Sequence, residues 1–151
     1  MTRDGQARDG QMRIGELATA LGISTRTLRY YEEVGLIQPS GHTAGGSRRY
    51  TELDRERVTH IRTLQEVMGF DLERIRRLLA AEDGLARLRE EYRAGPRPER
   101  RDRIIAEALV FYEQMLDEID AKLAALEDFK AGIETRRENA RRLSRERETP
   151  V

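Results

Sequence analysis

The sequence predicts a mainly α-helical protein, with a small head of short helices and a β-hairpin followed by one long helix. Three observations support this. Apolar residues recur at helical spacing in short blocks over residues 12–81, and a glycine-rich stretch, SGHTAGG, interrupts those blocks. From Glu99 to about Leu143 a heptad of apolar residues runs on without a proline. The 151 residues are 38% hydrophobic and 37% charged, enough for one small core and long solvated helix faces.

The first helix is expected over Ile14 to Leu21, where Ile14, Leu17, Ala18 and Leu21 form one apolar stripe. Gly22 closes it, because glycine accepts the left-handed conformation at a helix end. Ser24 caps a second helix, Thr25 to about Val34, with Leu28 and Tyr31 facing inward. Two short helices joined by a glycine turn make a helix-turn-helix. Leu36 to Pro39 and Ser47 to Tyr50 then flank SGHTAGG as the strands of a hairpin wing, with Pro39 restricting the first strand to an edge. Thr51 caps a third helix expected to bury Leu53, Val58, Ile61, Leu64, Val67 and Met68. Asp71 caps a fourth, with Leu72, Ile75, Leu78 and Leu79 at helical spacing.

These signals divide the chain into a disordered arm (1–11), a winged helix-turn-helix domain (12–81), a connector (82–98), a dimerisation helix (99–143) and a frayed tail (144–151). In the long helix Ile105, Leu109, Tyr112, Leu116, Ile119, Leu123, Leu126 and Ile133 form a seam interrupted by Lys130. The seam extends for roughly 42 Å, too long to be buried by its own helix, so a second copy of the chain is expected to cover it. Phe111, Tyr112 and Met115 near its start are the candidate effector pocket.

Composition excludes several chemistries. With no cysteine there is no disulfide, thiolate metal site or thiol redox switch. His42 and His60 lie far apart in sequence and read as surface and packing side chains, so no metal and no cofactor is expected. No glycine-rich phosphate loop follows a strand and no nucleophile–base pair is evident, which argues against an enzyme. No apolar run reaches the ~18 residues of a membrane span, so a cytoplasmic protein without a membrane partner is expected. Net charge is zero, with +2 on residues 12–81 and −2 on residues 82–151, so bulk charge names no partner.

The placement of the arginines is more informative. The second helix presents Thr25, Arg26, Thr27, Arg29 and Tyr30, and the wing carries Arg48, Arg49 and Tyr50. An arginine fork matches guanine or phosphate, and tyrosine and threonine hydroxyls suit the sugar-phosphate backbone.

The blocks IGELATALGISTRTLRYYEEVGLIQPS, GGSRRY and MGFDLERIRRLL resemble, in order and spacing, the DNA-binding domain of the MerR family of bacterial transcriptional regulators. The resemblance covers about residues 12–81, and Ser47 departs from the aromatic residue that many members carry there. It implies that Arg26, Arg29 and Tyr30 meet the major groove and its phosphates. By the same likeness Arg48, Arg49 and Tyr50 grip the flanking backbone, and Arg74 and Arg77 add phosphate contacts. It further implies double-stranded promoter DNA, a homodimer and RNA polymerase at the promoter as partners, with regulation by kinking and untwisting the DNA. It names no small-molecule effector. The alternative from a different class is a coiled-coil adaptor whose winged domain binds protein instead of DNA.

Overall fold

The computed structural model describes residues 11–148; most of the expected arm and residues 149–151 lie outside them. Contacts divide the chain into two units, at Ala80 and Ala81.

In the first unit α1 (Ile14–Leu21) and α2 (Thr25–Glu33) form the expected helix-turn-helix. Gly22 turns at φ 64°, donating its N–H back to the carbonyl of Thr19. Ser24 Oγ then accepts from the Thr27 N–H at 3.1 Å and starts α2. The wing differs from expectation. Its strands are β1 (Gly41–His42) and β2 (Arg48–Arg49), antiparallel, with Gly41 opposite Arg49 and His42 opposite Arg48. Leu36 and Ile37, expected in the first strand, are instead buried in the core, and Pro39 has no N–H to offer a ladder. A bridge between Met12 and Tyr50 anchors the chain next to the wing.

α3 (Glu52–Arg62) runs into a single π-helical turn over Thr63–Val67 before α4 (Leu72–Arg93). Three residues expected in its buried stripe are exposed. Leu53 is 74% exposed because the face that repeats through Val58 and Ile61 begins at Asp54, one position later. Asp54 can occupy that position because its carboxylate is satisfied: it accepts from the Thr51 N–H at 2.6 Å and from the Ser40 hydroxyl at 2.5 Å. Val67 and Met68 are exposed because the π-turn inserts extra rotation after Leu64, and Phe70 is buried in their place.

In the second unit the expected connector is mostly helix. α4 continues to Arg93 with Ala81, Leu85 and Leu88 buried, and only residues 94–97 turn the chain into α5 (Pro98–Glu148). Pro98 suits the first position of α5, where no N–H partner is required. Residues 144–148, expected to fray, extend this helix, so its 51 residues run roughly 77 Å. An ion pair, Arg142 to Glu146 at 3.9 Å, spans the start of that extension.

Gly84 explains why this hairpin closes. It lies in the middle of a helix, where glycine costs stability, but the Phe111 ring of α5 packs against its bare backbone. Ile104 is buried two turns earlier on the same face of α5, and Arg100 fastens the hairpin end to Glu91 at 2.5 and 2.6 Å and to Glu107 at 2.6 Å. The hydrogen bonds from Arg100 hold the Glu91 carboxyl below the usual carboxylate range.

A methyl group on Gly84 would fall within 2.8 Å of three Phe111 ring carbons. Gly84→Ala is therefore expected to lower stability by about 1–2 kcal/mol, although helix propensity alone favours alanine by ~1 kcal/mol. Chemical denaturation in a Phe111→Leu background should show the alanine tolerated, which would identify the ring as the cause.

Candidate nucleic-acid interface

The exposed side of α2 follows from its buried side. Leu28 and Tyr31 face the core, and the Tyr31 hydroxyl donates to Gln65 Oε1 at 2.8 Å. That rotation leaves Thr25, Arg26, Arg29 and Tyr30 outward, with Tyr30 46% exposed. Thr27 is half-buried, its hydroxyl 2.9 Å from that of Ser24, so it helps to cap the helix. The side chains of Arg26, Arg29 and Arg49 have no hydrogen-bond or ion-pair partner among the described residues. Arginines that no internal group holds are available to an external anion.

Other arginines of the unit are committed to the fold. Arg62 donates to the carbonyl of Leu21 at 2.8 Å, at the end of α1. Arg76 donates to the carbonyl of Val34 at 3.0 Å, just past α2, and Arg57 to that of Leu36 at 2.7 Å. Neither α1 nor α2 has a basic residue in its own last turn, so Arg62 and Arg76 supply the cations their carbonyl ends favour. Of the arginines expected from α4, Arg74 lies over the Phe70 ring at 5.7 Å and Arg77 is 3.6 Å from Glu73. Both remain on the surface side of the helix start.

The wing residues separate. Arg48 in β2 and Tyr50 just past it lie two apart in extended chain, and both reach Glu32 of α2. The expectation that Tyr50 grips DNA is corrected: its side chain is fully buried and its hydroxyl donates to the carboxylate of Glu32. Glu32, in the last turn of α2, was not foreseen. Its other oxygen lies 3.1 Å from Arg48 Nε. An acidic residue at a helix C-terminus opposes the helix dipole, and that was the available signal that Glu32 had a partner elsewhere.

The three candidate effector residues differ in environment, with Met115 half-buried. Phe111 is taken up against Gly84, whereas Tyr112 lies exposed on the seam side of α5. The seam itself is open to solvent. Ile105, Leu109, Tyr112, Leu116, Leu123, Leu126 and Ile133 are exposed and Ile119 half-exposed, which is unusual for so many large apolar side chains in one row.

A helix-turn-helix, a wing beside its second helix and an unpaired arginine face define a DNA-binding protein of the winged helix-turn-helix class. Comparison with known proteins agrees. Residues 12–82 match the model of the MerR HTH family regulatory protein. The HTH-type transcriptional regulator YfmP of Bacillus subtilis is 31% identical over 131 residues, spanning 87% of this chain and 94% of that one. ZntR, an HTH-type transcriptional regulator of Escherichia coli, is 31% identical over 122 residues, 81% of this chain and 75% of its own. A solved structure described as HiNmlR, a MerR family regulator lacking the sensor domain and bound to promoter DNA, covers 89% of this chain and 93% of its own. Its TM-score is 0.49 at 22% identity. The chain belongs to the MerR family: it is a DNA-binding transcriptional regulator and not an enzyme. These relatives lend nothing to the adaptor alternative.

Burial, the hydrogen bond to Glu32 and the nearby carboxylate charge all raise the Tyr50 phenol above its ordinary value. Above about pH 10 the unfolded chain releases a proton that the folded chain keeps, so stability is full below that pH and declines above it. Urea midpoints measured from pH 8 upward should show this decline, and Tyr50→Phe should flatten it. Tyr31, raised chiefly by burial, should account for part of what remains.

Proposed function

We propose that the chain acts in the cytoplasm as a homodimer on a two-fold symmetric promoter site, placing one α2 in the major groove of each half-site. Arg26, Arg29 and Tyr30 would meet bases and phosphates there, with Thr25 at the helix start. Arg48 and Arg49 would hold the flanking backbone from the wing, and Arg74 and Arg77 would add phosphate contacts. The observation that supports this reading best is the sorting of arginines: those on α2 are exposed and unpaired while Arg57, Arg62 and Arg76 are spent on internal carbonyls.

The dimer is supported by the apolar seam from Ile105 to Ile133. Each large apolar side chain removed from water contributes about 1.5–3 kcal/mol, so covering such a row favours association strongly. A dimer that clamps two half-sites can stabilise a kinked, untwisted duplex by means of its backbone contacts, an elastic cost on the order of 1–6 kcal/mol. Regulation through promoter geometry, with RNA polymerase as the enzyme that reads the result, follows from the family resemblance. No effector is assigned.

Arg29→Ala should weaken binding to the promoter duplex about tenfold in a gel-shift titration, within the ~1–3 kcal/mol of a base-reading arginine, and leave the dimer intact. Unchanged affinity would remove Arg29 from the interface. Leu116→Asp should sediment at the 17.5 kDa monomer mass and lose most operator affinity; a persisting dimer would refute the seam assignment.

A further inference from the structure

The two wing arginines are neighbours in sequence but differ in environment. The Arg49 side chain has no partner among the described residues, whereas the exposed Arg48 is paired with a carboxylate that is almost out of solvent. The Glu32 side chain is 11% exposed and the Arg48 side chain 53%. Glu32 comes from the last turn of α2, on the same helix as Arg26 and Arg29. One of its oxygens accepts from the buried Tyr50 hydroxyl, and the other sits against Arg48 Nε. The carboxylate is therefore fixed by Tyr50, and it is ion-paired with an Arg48 side chain that remains half-exposed. The planar guanidinium, with five N–H donors, keeps an exposed edge that a phosphate can take in a paired, fork-like contact.

We propose that Glu32 is a positioning residue for DNA binding: it aims Arg48 at a backbone phosphate and ties the wing to the recognition helix. This rests on the DNA reading of the arginines given above. Tyr50 contributes at one remove, by orienting Glu32. The arrangement also explains why a carboxylate can lie beside a polyanion. Its charge is balanced by Arg48 and its second oxygen is occupied, so little of it faces the phosphates.

The proposal predicts a sign that simple electrostatics reverses. Removing a negative charge near DNA should tighten binding, but removing the group that aims Arg48 should weaken it. Fluorescence anisotropy with a labelled mixed-sequence duplex, over a range of salt, separates these outcomes for the full chain. Glu32→Gln and Arg48→Ala are each expected to weaken binding about fivefold. Each should also reduce the steepness of log affinity against log salt by about 0.9, the equivalent of one phosphate contact. The double variant should bind no worse than Arg48→Ala alone.

Equal or tighter binding by Glu32→Gln would overturn the proposal, as would a further loss from Glu32→Gln in the Arg48→Ala background. Thermal unfolding identifies a variant that does not fold. In that case Glu32→Asp, which keeps the charge and shortens the reach, serves in the same cycle with the same two outcomes. Wild-type protein that binds no duplex at low salt overturns the DNA reading and this proposal together. Wild-type binding with an indifferent Glu32→Gln overturns the proposal alone.

Discussion

The helix-turn-helix depends on the way its two short helices are finished. An α-helix ends in carbonyls without partners and a partial negative charge, and helices of eight and nine residues have little length over which to dilute that penalty. Neither α1 nor α2 carries a basic residue in its last turn. Arginines from α3 and α4 reach across instead, to the carbonyls of Leu21, Val34 and Leu36. The first two of these contacts satisfy orphan acceptors and complement both dipoles, and all three tie the second helix pair to the first. A charged donor to a carbonyl also holds direction better than apolar packing does, and direction is what a recognition helix needs.

The surface chemistry follows from this division. Arg57, Arg62 and Arg76 complete the backbone, whereas the side chains of Arg26 and Arg29 have no internal partner among the described residues. α2 presents its cations beside the wing, whose orientation depends on Tyr50 and Glu32 as well as on its two short strands. A two-residue ladder would be marginal alone. The hydroxyl of a fully buried tyrosine, bonded to a nearly buried carboxylate, gives the wing an attachment that water does not weaken. The second unit follows a different rule. Its hairpin is closed by an aromatic ring against a glycine and by the fork of Arg100, while the remaining apolar row of α5 stays uncovered within one chain. Burial at the start of the helix and exposure along its seam are consistent with one region packing internally and the other receiving a partner.

Much of this was legible along the chain. The bounds of α1, the start of α2, the caps at Ser24, Thr51 and Asp71 and the exposed arginine face of α2 all follow from local rules of periodicity and capping. So does the seam of α5, because a heptad needs nothing beyond its own spacing to be recognised. The family too was readable from the blocks around TLRYYEEVGLI and GGSRRY, since their order and spacing survive in one dimension.

Tertiary structure decided the points at which one local signal could be answered in two ways. Gly84 falls in the stretch that reads as a connector, and the Phe111 ring across from it accounts for a glycine inside a continuing helix. Leu53 looked buried until Asp54, satisfied by Ser40 and Thr51, took the inward position. Tyr50 read as a surface contact, yet a carboxylate eighteen positions earlier in the chain draws its hydroxyl inward. By itself, then, the sequence determined α1, the start of α2, the seam and the family, because those depend on spacing between near neighbours. Which arginines are free and which tyrosine is buried depended on partners distant in the chain, whose meeting only the folded backbone arranges.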